Sequence, residues 1–376
     1  MEWGGNVEIH VKASDWERHG HHTDKAYDSV ILHVVGVDDT KVKRSDGSEI
    51  LQVCVAPPAE FYNRYAILTE NMDSPTCLPW IHTIPELNRE DWIKSLGLER
   101  LHEKAGNMKS ILATFNGDWQ QTLFIVLSRA LGFGLNGLPF EMLAKSLPLN
   151  FVMRHRDNPI QVEAMVFGQA GMLQPGDYPY DEYYTTLCRE YDFLRKKYGL
   201  EPLGANIWKY SRTRPHNFPH RRLAILSDML TDGMQLYTTI LEARGDYEIL
   251  MDSLDAQASA YWHFHSRFGE MESPVPLPVN LSKNSKEIIL INVMAPFYFA
   301  YGSINGDPEI AERGTDLLES IKAEKNNIVG LWERNGLKAR CAFDSQAMIQ
   351  LRRNYCDRSR CLECRFGHFL LRKSFN

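Results

Sequence analysis

Near the amino terminus, apolar and polar residues alternate strictly from Val7 to Lys12, which is the pattern of a β-strand with one buried face. The apolar positions are Val7, Ile9 and Val11, and the polar positions are Glu8, His10 and Lys12. Because successive side chains of a strand point to opposite faces, we expect the apolar set to enter a core and the polar set to project together. A carboxylate, an imidazole and an ammonium in this arrangement can hold a hard cation and position a water molecule beside it.

Acidic residues and histidines continue beyond this strand. The additional residues are Asp15, His19, His21, His22, Asp24 and His33. Five of the 13 histidines of the chain therefore fall between His10 and His33. Taken singly, each of these residues suits an ordinary solvated or hydrogen-bonded position. Taken together, a polar strand face and a histidine-rich loop also favour a functional site, and both interpretations stay open at this point.

A second candidate site is the basic segment from Lys209 to Arg222, which contains no acidic residue. Its arginines are Arg212, Arg214, Arg221 and Arg222. Guanidinium groups that precede a helix could bind phosphates bidentately, helped by the partial positive charge of the helix amino end. The alternative is that these groups hydrogen-bond to buried carbonyls at helix ends or pair with carboxylates elsewhere.

A third candidate lies near the carboxyl end, where Cys356, Cys361 and Cys364 have the spacing Cys-x4-Cys-x2-Cys and His368 follows. Three thiolates and an imidazole form a tetrahedral zinc set in which the protein fills every position, so the expected role is structural. Cys341 is a substitute fourth ligand, and an iron–sulfur cluster is the alternative to zinc. Reduced cysteines that bind no metal are the remaining interpretation.

The chain as a whole has 376 residues and a net charge of −6 at pH 7, so we expect large cores and more than one domain. The charge argues against a uniformly basic surface, but nine basic residues against three acids from Lys338 onwards suit a nucleic-acid or other acidic partner. The most apolar run, Ile288–Ala300, is shorter than the roughly 20 residues that span a bilayer. We therefore expect a cytoplasmic protein without membrane association, and its seven cysteines suit a reducing compartment.

The elements that position these residues change in character along the chain. Val30–Val37 is almost wholly apolar and predicts a buried strand, and Glu49–Ala56 predicts a third strand that two prolines end. After a connector at Thr76–Pro85, helical patterns dominate. They predict helices at Leu101–Leu112, Asp118–Leu131, Pro159–Met172, Tyr180–Tyr198, Arg222–Ala243, Tyr247–Ala256, Lys286–Tyr301, Pro308–Asn335 and Ser345–Tyr355, and one that begins near Pro139. The sequence therefore predicts an α+β protein with a small strand-built lobe at residues 1–85. A large all-helical domain follows at 86–376 and ends in the cysteine-rich segment.

Motifs spread over most of the chain resemble those of a bacterial family of uncharacterised proteins, domain-of-unknown-function family 2851. The motifs are Asn-Val-Glu-Ile-His-Val-Lys-Ala-Ser-Asp-Trp at Asn6–Trp16, Pro-Phe-Glu-x-Leu-Ala-Lys-Ser-Leu-Pro at Pro139–Pro148, Phe-Gly-Gln-Ala-Gly at Phe167–Gly171, Arg-Pro-x-Asn-Phe-Pro at Arg214–Pro219 and Ser-Gln-Ala at Ser345–Ala347. Such a series in order is specific for the family, but it implies no known activity.

The amino-terminal part of this family resembles the PD-(D/E)XK nuclease core, in which an aspartate and a glutamate hold magnesium and a lysine helps to activate water. The resemblance implies that Glu8 is the magnesium ligand and that His10 and Lys12 orient or activate water. Here His10 occupies the lysine position, and the upstream Pro-Asp strand is absent, so the chain resembles an amino-terminally truncated member. The expected function is a metal-dependent nuclease or phosphodiesterase acting on nucleic acid. The alternative is a noncatalytic nucleic-acid-binding or scaffold protein with a degenerate nuclease lobe.

Overall fold

A computed structural model describes residues 4–56, 58–70, 74–174, 181–213, 217–231, 235–269 and 275–372. The chain forms two compact units, of which the first comprises Met1–Glu86 and Arg352–Asn376 and the second comprises Leu87–Leu351. The sequence predicts that the cysteine-rich end belongs to the helical domain. It belongs instead to the strand-containing unit, where the Arg64 side chain donates a hydrogen bond to the Leu371 carbonyl at 3.0 Å. The described part of the chain is mostly helical with one small sheet, which is an α+β architecture.

Three strands form this sheet: β1 (Asn6–Lys12), β2 (Val30–Val37) and β3 (Leu51–Cys54). They are all parallel and lie in the order β1-β2-β3. All three strands predicted from the sequence are thereby confirmed. Because parallel neighbours cannot be joined by a tight hairpin, the segment between β1 and β2 must cross one face of the sheet.

The remaining elements are helical. The α-helices are α1 (Asp15–Arg18), α2 (Ala59–Thr69), α3 (Glu86–Thr114), α4 (Trp119–Leu131), α5 (Gly137–Ser146), α6 (Leu149–Met153), α7 (Pro159–Gln169), α8 (Glu182–Tyr198), α9 (Pro219–Thr231), α10 (Leu236–Ala243), α11 (Tyr247–Asp252), α12 (Lys283–Ile289), α13 (Ala295–Asn305), α14 (Pro308–Ser320), α15 (Asn327–Arg334), α16 (Ala342–Gln350) and α17 (Arg365–Arg372). Short 3-10 helices lie at His21–Thr23, Lys25–Ser29, Leu78–Thr83, Ala205–Ile207 and Ala260–His263, and π-helical turns lie at Leu290–Met294 and Leu351–Cys356.

The buried face of β1 is the opposite of the one that the sequence predicts. Val7, Ile9 and Val11 are 51%, 71% and 74% exposed, so the expectation that they enter a core is wrong. The crossover between β1 and β2 covers the other face instead, and it places Trp16 of α1 there at 0% exposure. Glu8 and His10 consequently lie beside the aromatic rings of the crossover and are partly buried, whereas Lys12 is exposed.

Several helices of the second unit follow their sequence signals. The stripe of Leu101, Ala105, Met108 and Leu112 is buried along α3, as its spacing predicts. The Asp118 side chain accepts a hydrogen bond from the Gln121 amide at 2.9 Å and so caps α4. Local signals of this kind therefore located these helices correctly.

Two long predicted helices are each divided in the structure. The predicted helix Arg222–Ala243 appears as α9 and α10, and the predicted helix Pro308–Asn335 appears as α14 and α15. The second division has a clear cause, because the Asn326 side chain accepts hydrogen bonds from the amides of Ile328 and Val329 and begins a new helix.

By length and composition alone, one continuous helix among the described residues could cross a membrane, namely Lys283–Asn305. It is longer than the apolar run that the sequence marks, because the π-helical turn joins α12 to α13 without interruption. Most of its apolar window, 61%, is buried inside the protein, and Ile289, Val293 and Phe297 are completely buried in the main core. This burial is typical of the central helix of a helical domain.

Candidate metal centre

Three imidazoles of the first unit converge on one point. His10 of β1, His19 after α1 and His21 at the start of a 3-10 helix form a group that we call the histidine cluster. One donor nitrogen from each lies within 4.8 Å of the others, and His10 Nε2 lies 3.3 Å from His19 Nδ1. Nitrogen atoms at this spacing can bind one metal ion, since zinc–nitrogen bonds are about 2.0–2.1 Å long.

Local chain geometry brings these residues together. The Asp15 side chain accepts a hydrogen bond from the Lys12 amide at 3.1 Å and pairs with Arg18 at 2.8 Å, which holds α1 against the end of β1. Gly20 then has φ +76°, in the left-handed region that favours glycine, and this turn lets the flanking histidines face the same point. The Asp24 side chain caps the next 3-10 helix by accepting from the Ala26 amide.

A carboxylate lies beside the histidine cluster. Glu8 Oε1 is 3.7 Å from His10 Nε2 and 3.9 Å from His21 Nε2. The His10 side chain is 6% exposed, and those of Glu8 and His21 are 30% and 11% exposed, so the group is partly buried. A partly buried negative charge next to three nitrogen donors attracts a cation more strongly than imidazoles alone.

A chain of hydrogen bonds behind the cluster orients His10. Gln52 Nε2 donates to Asp38 Oδ1 at 2.6 Å and to the Thr40 carbonyl at 2.8 Å, which leaves Gln52 Oε1 as an acceptor. Completely buried His33 therefore donates from Nδ1 to Gln52 Oε1 at 3.0 Å, and the tautomer that carries this one proton accepts at Nε2 from His10 Nδ1 at 2.9 Å. This assignment leaves the lone pair of His10 Nε2 directed at the cluster. Metal-binding histidines are commonly oriented by such a partner on their second nitrogen.

The environment of His10 and His21 favours their neutral forms. Burial lowers the pKa of His10, and the neighbouring imidazoles lower it further while Glu8 opposes them. Burial also lowers the pKa of His21, which stacks on Tyr27 with ring centroids 3.7 Å apart. Since the unperturbed imidazole already titrates near pH 6.5, both rings are unprotonated at neutral pH, which is the form that binds metals.

The sequence identified part of this site. Glu8 and His10 share one face of a strand, as expected, but Lys12 is exposed at the end of β1, and His22 is also exposed. His19 and His21 were recognised as part of a histidine-rich loop and not as ligands. The signal that could have selected them is Gly20 between them, which permits a reversal of the chain.

Two described arginines of the basic segment are buried, as the alternative interpretation expects, and are not available to bind a phosphate. Arg221 is 2% exposed and donates to the carbonyl groups of Trp262, His265 and Pro278. Arg222 is 6% exposed, donates to Asn217 and stacks on Phe133, and burial lowers its pKa to about 10. Arg212 is exposed, and Arg214 lies outside the described residues. The prediction is wrong for Arg221 and Arg222, because these side chains hydrogen-bond inside the protein and do not face solvent.

The carboxyl-terminal cysteines occupy the first unit. Cys356 ends a π-helical turn, Cys361 lies in the following loop, and Cys364 immediately precedes α17. His368 lies on α17 with an exposed side chain, and Cys341 precedes α16 in the second unit, with Asp344 and Glu319 as the charged neighbours of its thiol.

Comparison with known proteins adds a family but no activity. No curated protein and no solved structure matches the chain. The model of the family described as protein of unknown function, DUF2851, matches residues 1–327. This match covers the strand-built lobe and nearly all of the helical unit, and the chain therefore belongs to the DUF2851 family.

Proposed function

We propose that this protein is a metal-dependent hydrolase whose amino-terminal lobe binds one divalent transition-metal ion through His10, His19 and His21. The observation that supports the proposal is the convergence of one donor nitrogen from each imidazole to within 4.8 Å, with Glu8 beside two of them. Catalytic zinc sites have this composition, with three protein ligands and a fourth position open to water.

The donor set favours zinc or a neighbouring transition metal over the magnesium that the resemblance to the nuclease core implies. Imidazole nitrogens suit zinc, copper, iron and nickel, whereas magnesium prefers oxygen ligands and retains several waters. A bound ion of this kind lowers the pKa of a coordinated water so that hydroxide forms near neutral pH.

Glu8 is suited to act as the general base of this site. Its carboxylate lies close to two of the imidazole nitrogens. Among the described residues, no hydrogen bond holds the carboxylate away from them. From that position Glu8 can accept a proton from a water molecule and release it to a leaving group. His33 and Gln52 have no contact with the reacting atoms in this scheme, and they position His10.

Phosphodiesters are the proposed substrate class. The Glu-x-His sequence of β1 resembles half of a nuclease core, and β1 belongs to a parallel sheet, so the same strand face would present the metal and the base to a phosphate. Arg221 and Arg222 are buried and cannot neutralise the charge of that phosphate. The metal ion would therefore neutralise it.

Metal binding by the full-length protein tests the site directly. Protein stripped with a chelator is titrated calorimetrically with zinc, manganese and magnesium. We expect tight binding of about one zinc per chain at the histidine cluster, counted apart from any zinc that the carboxyl-terminal cysteines bind, and weak binding of magnesium. His10→Ala and His19→Ala should each weaken zinc binding at least about tenfold. His22→Ala is the matched control, since His22 is adjacent to the cluster but exposed, and it should bind zinc as the unmodified protein does.

Hydrolysis of bis(p-nitrophenyl) phosphate by the metal-loaded protein tests the chemistry. Glu8→Gln should retain zinc but lose about 100-fold or more in turnover, as expected for a general base. If the protein binds zinc but hydrolyses neither this substrate nor DNA or RNA, the result would support the noncatalytic alternative. Equal zinc binding by His10→Ala and the unmodified protein would show that the histidine cluster is not a metal site.

A further inference from the structure

We propose that Cys77, Cys356, Cys361 and Cys364 together bind one metal centre through four thiolates. We call these residues the thiol cluster. The sequence indicates only the last three, because Cys77 is far away along the chain and has no cysteine near it. All four belong to the first unit, and the site is separate from the histidine cluster in its residues and in its ligand type.

The backbone around Leu68 brings Cys77 to the other cysteines. The Leu68 carbonyl at the end of α2 accepts a hydrogen bond from the Thr76 hydroxyl, and the Cys361 thiol points at the same oxygen at 3.9 Å. Cys77 follows Thr76 directly and precedes the 3-10 helix Leu78–Thr83. The segment that carries Cys77 and the loop that carries Cys361 therefore meet at one carbonyl group.

The loop after Cys356 is closed tightly onto α17. A Cβ atom at Gly367 would collide with the carbonyl oxygen of Cys361, so only glycine allows the loop to lie this close to the helix. The His368 amide donates to the Cys364 carbonyl at 2.8 Å in the first turn of α17, and the His368 side chain is exposed, whereas Cys364 is buried. This geometry favours Cys77 over His368 as the fourth ligand.

The four thiols are close enough to influence each other's ionisation. Burial raises the pKa of Cys77 to about 12, and the thiols of Cys364 and Cys361 add to this effect. Burial also raises the pKa of Cys356, again with contributions from the other three cysteines, while nearby Arg352 opposes the shift. Binding of a metal ion by the four thiols would release their four protons to solvent.

The spacing of the thiols favours an iron–sulfur cluster over a single zinc ion. Four thiolates at about 2.3 Å from zinc lie about 3.8 Å apart. Among the residues that the structure describes, three or more histidine, cysteine or acidic donor atoms lie within 4.8 Å of one another only in the histidine cluster. No three of the thiols therefore lie that close together. A [4Fe–4S] cluster held by four cysteines has a larger core than a single ion and so accommodates thiols that lie farther apart.

Elemental analysis of the full-length protein, purified anaerobically without chelator, tests the proposal. We expect about four irons and four sulfides per chain, with visible absorption from sulfur-to-iron charge transfer. About one zinc per chain with the same cysteine dependence would also support a four-thiolate site, with the thiols drawn in around a smaller ion. Protein that contains neither metal at the cysteines, even after reconstitution with iron and sulfide or with zinc, would overturn the proposal.

Matched variants identify the ligands. Cys77→Ser and Cys361→Ser should each lose most of the metal, whereas Cys54→Ser should retain it, because Cys54 is an exposed cysteine of the same unit. His368→Ala should also retain the metal. Loss of the metal from His368→Ala, or retention of the metal by Cys77→Ser, would show that Cys77 is not the fourth ligand. In case a ligand variant fails to fold, thiol labelling of the unmodified protein provides a second measurement. The four thiols of the thiol cluster should become reactive only after the metal is removed. Reaction of these four thiols before its removal would contradict the site.

Discussion

His10 Nδ1 lies 2.9 Å from His33 Nε2, so a completely buried histidine determines which nitrogen of His10 faces the histidine cluster. The bond depends in turn on Gln52, whose amide nitrogen is already used by Asp38 and Thr40. His10, a proposed metal ligand on β1, is thereby oriented by His33 of β2 and Gln52 of β3. Each strand of the small sheet contributes one residue to this series of hydrogen bonds.

Gln52→Leu should weaken metal binding although Gln52 is not a ligand. Without the acceptor at Gln52 Oε1, His33 can place its proton on Nε2, and His10 then loses the partner that directs its lone pair at the metal. We expect the zinc dissociation constant to rise about 10–100-fold, as found when such orienting partners are removed. Calorimetric titration of Gln52→Leu with zinc measures the change, with His22→Ala as the control. An unchanged dissociation constant in Gln52→Leu would rule out the orienting role.

Acidification should destabilise the protein through the same histidines. The folded protein lowers the pKa of His10 and His21 below 6.5, so the unfolded chain binds protons first as the pH falls. The stability that these groups contribute is therefore complete above pH 6.5 and is lost as the pH falls through the lowered values. Urea unfolding of metal-free protein between about pH 7.5 and about pH 5.5 measures this slope. The slope should be smaller in His10→Ala and unchanged in His22→Ala, and equal slopes in all three proteins would contradict the prediction.

Arg221→Ala should destabilise the protein strongly. Its guanidinium donates to three backbone carbonyls in a buried site, and removal leaves those carbonyls without these donors. We expect a loss of about 3–5 kcal/mol in the free energy of unfolding. Arg212→Ala is the control, since an exposed arginine of the same segment should change stability by less than about 0.5 kcal/mol. Chemical denaturation decides between them, and equal losses would show that burial does not explain the role of Arg221.

Two helix glycines should respond in opposite directions to alanine. A Cβ atom at Gly168 would collide with the ring of Tyr191, where α7 packs against α8, so Gly168→Ala should cost about 1–3 kcal/mol. Gly106 lies in α3 with open space around it, so Gly106→Ala should stabilise the protein by about 0.5–1 kcal/mol. Thermal unfolding of both variants tests the packing of α7, and a stabilised Gly168→Ala would show that this helix contact is looser than described.

The sequence by itself determined the local elements. Period-two alternation located β1, apolar composition located β2, and the cap at Asp118 located the start of α4, because strand alternation and helix capping depend on residues a few positions apart. The sequence also singled out the region of the histidine cluster and the three cysteines near the carboxyl end. Both were visible because residues with the required chemistry are close together along the chain.

Only the tertiary structure decided which residues of those regions meet. Alternation along β1 defines two faces but does not say which one the crossover covers, and the crossover covers the face of Glu8 and His10. Likewise, the segment that carries Cys77 meets the loop of Cys361 at the Leu68 carbonyl, and Arg221 meets its carbonyl partners, through contacts between segments far apart in sequence. Burial and long-range hydrogen bonding depend on how whole elements pack, and no short stretch of residues contains that information.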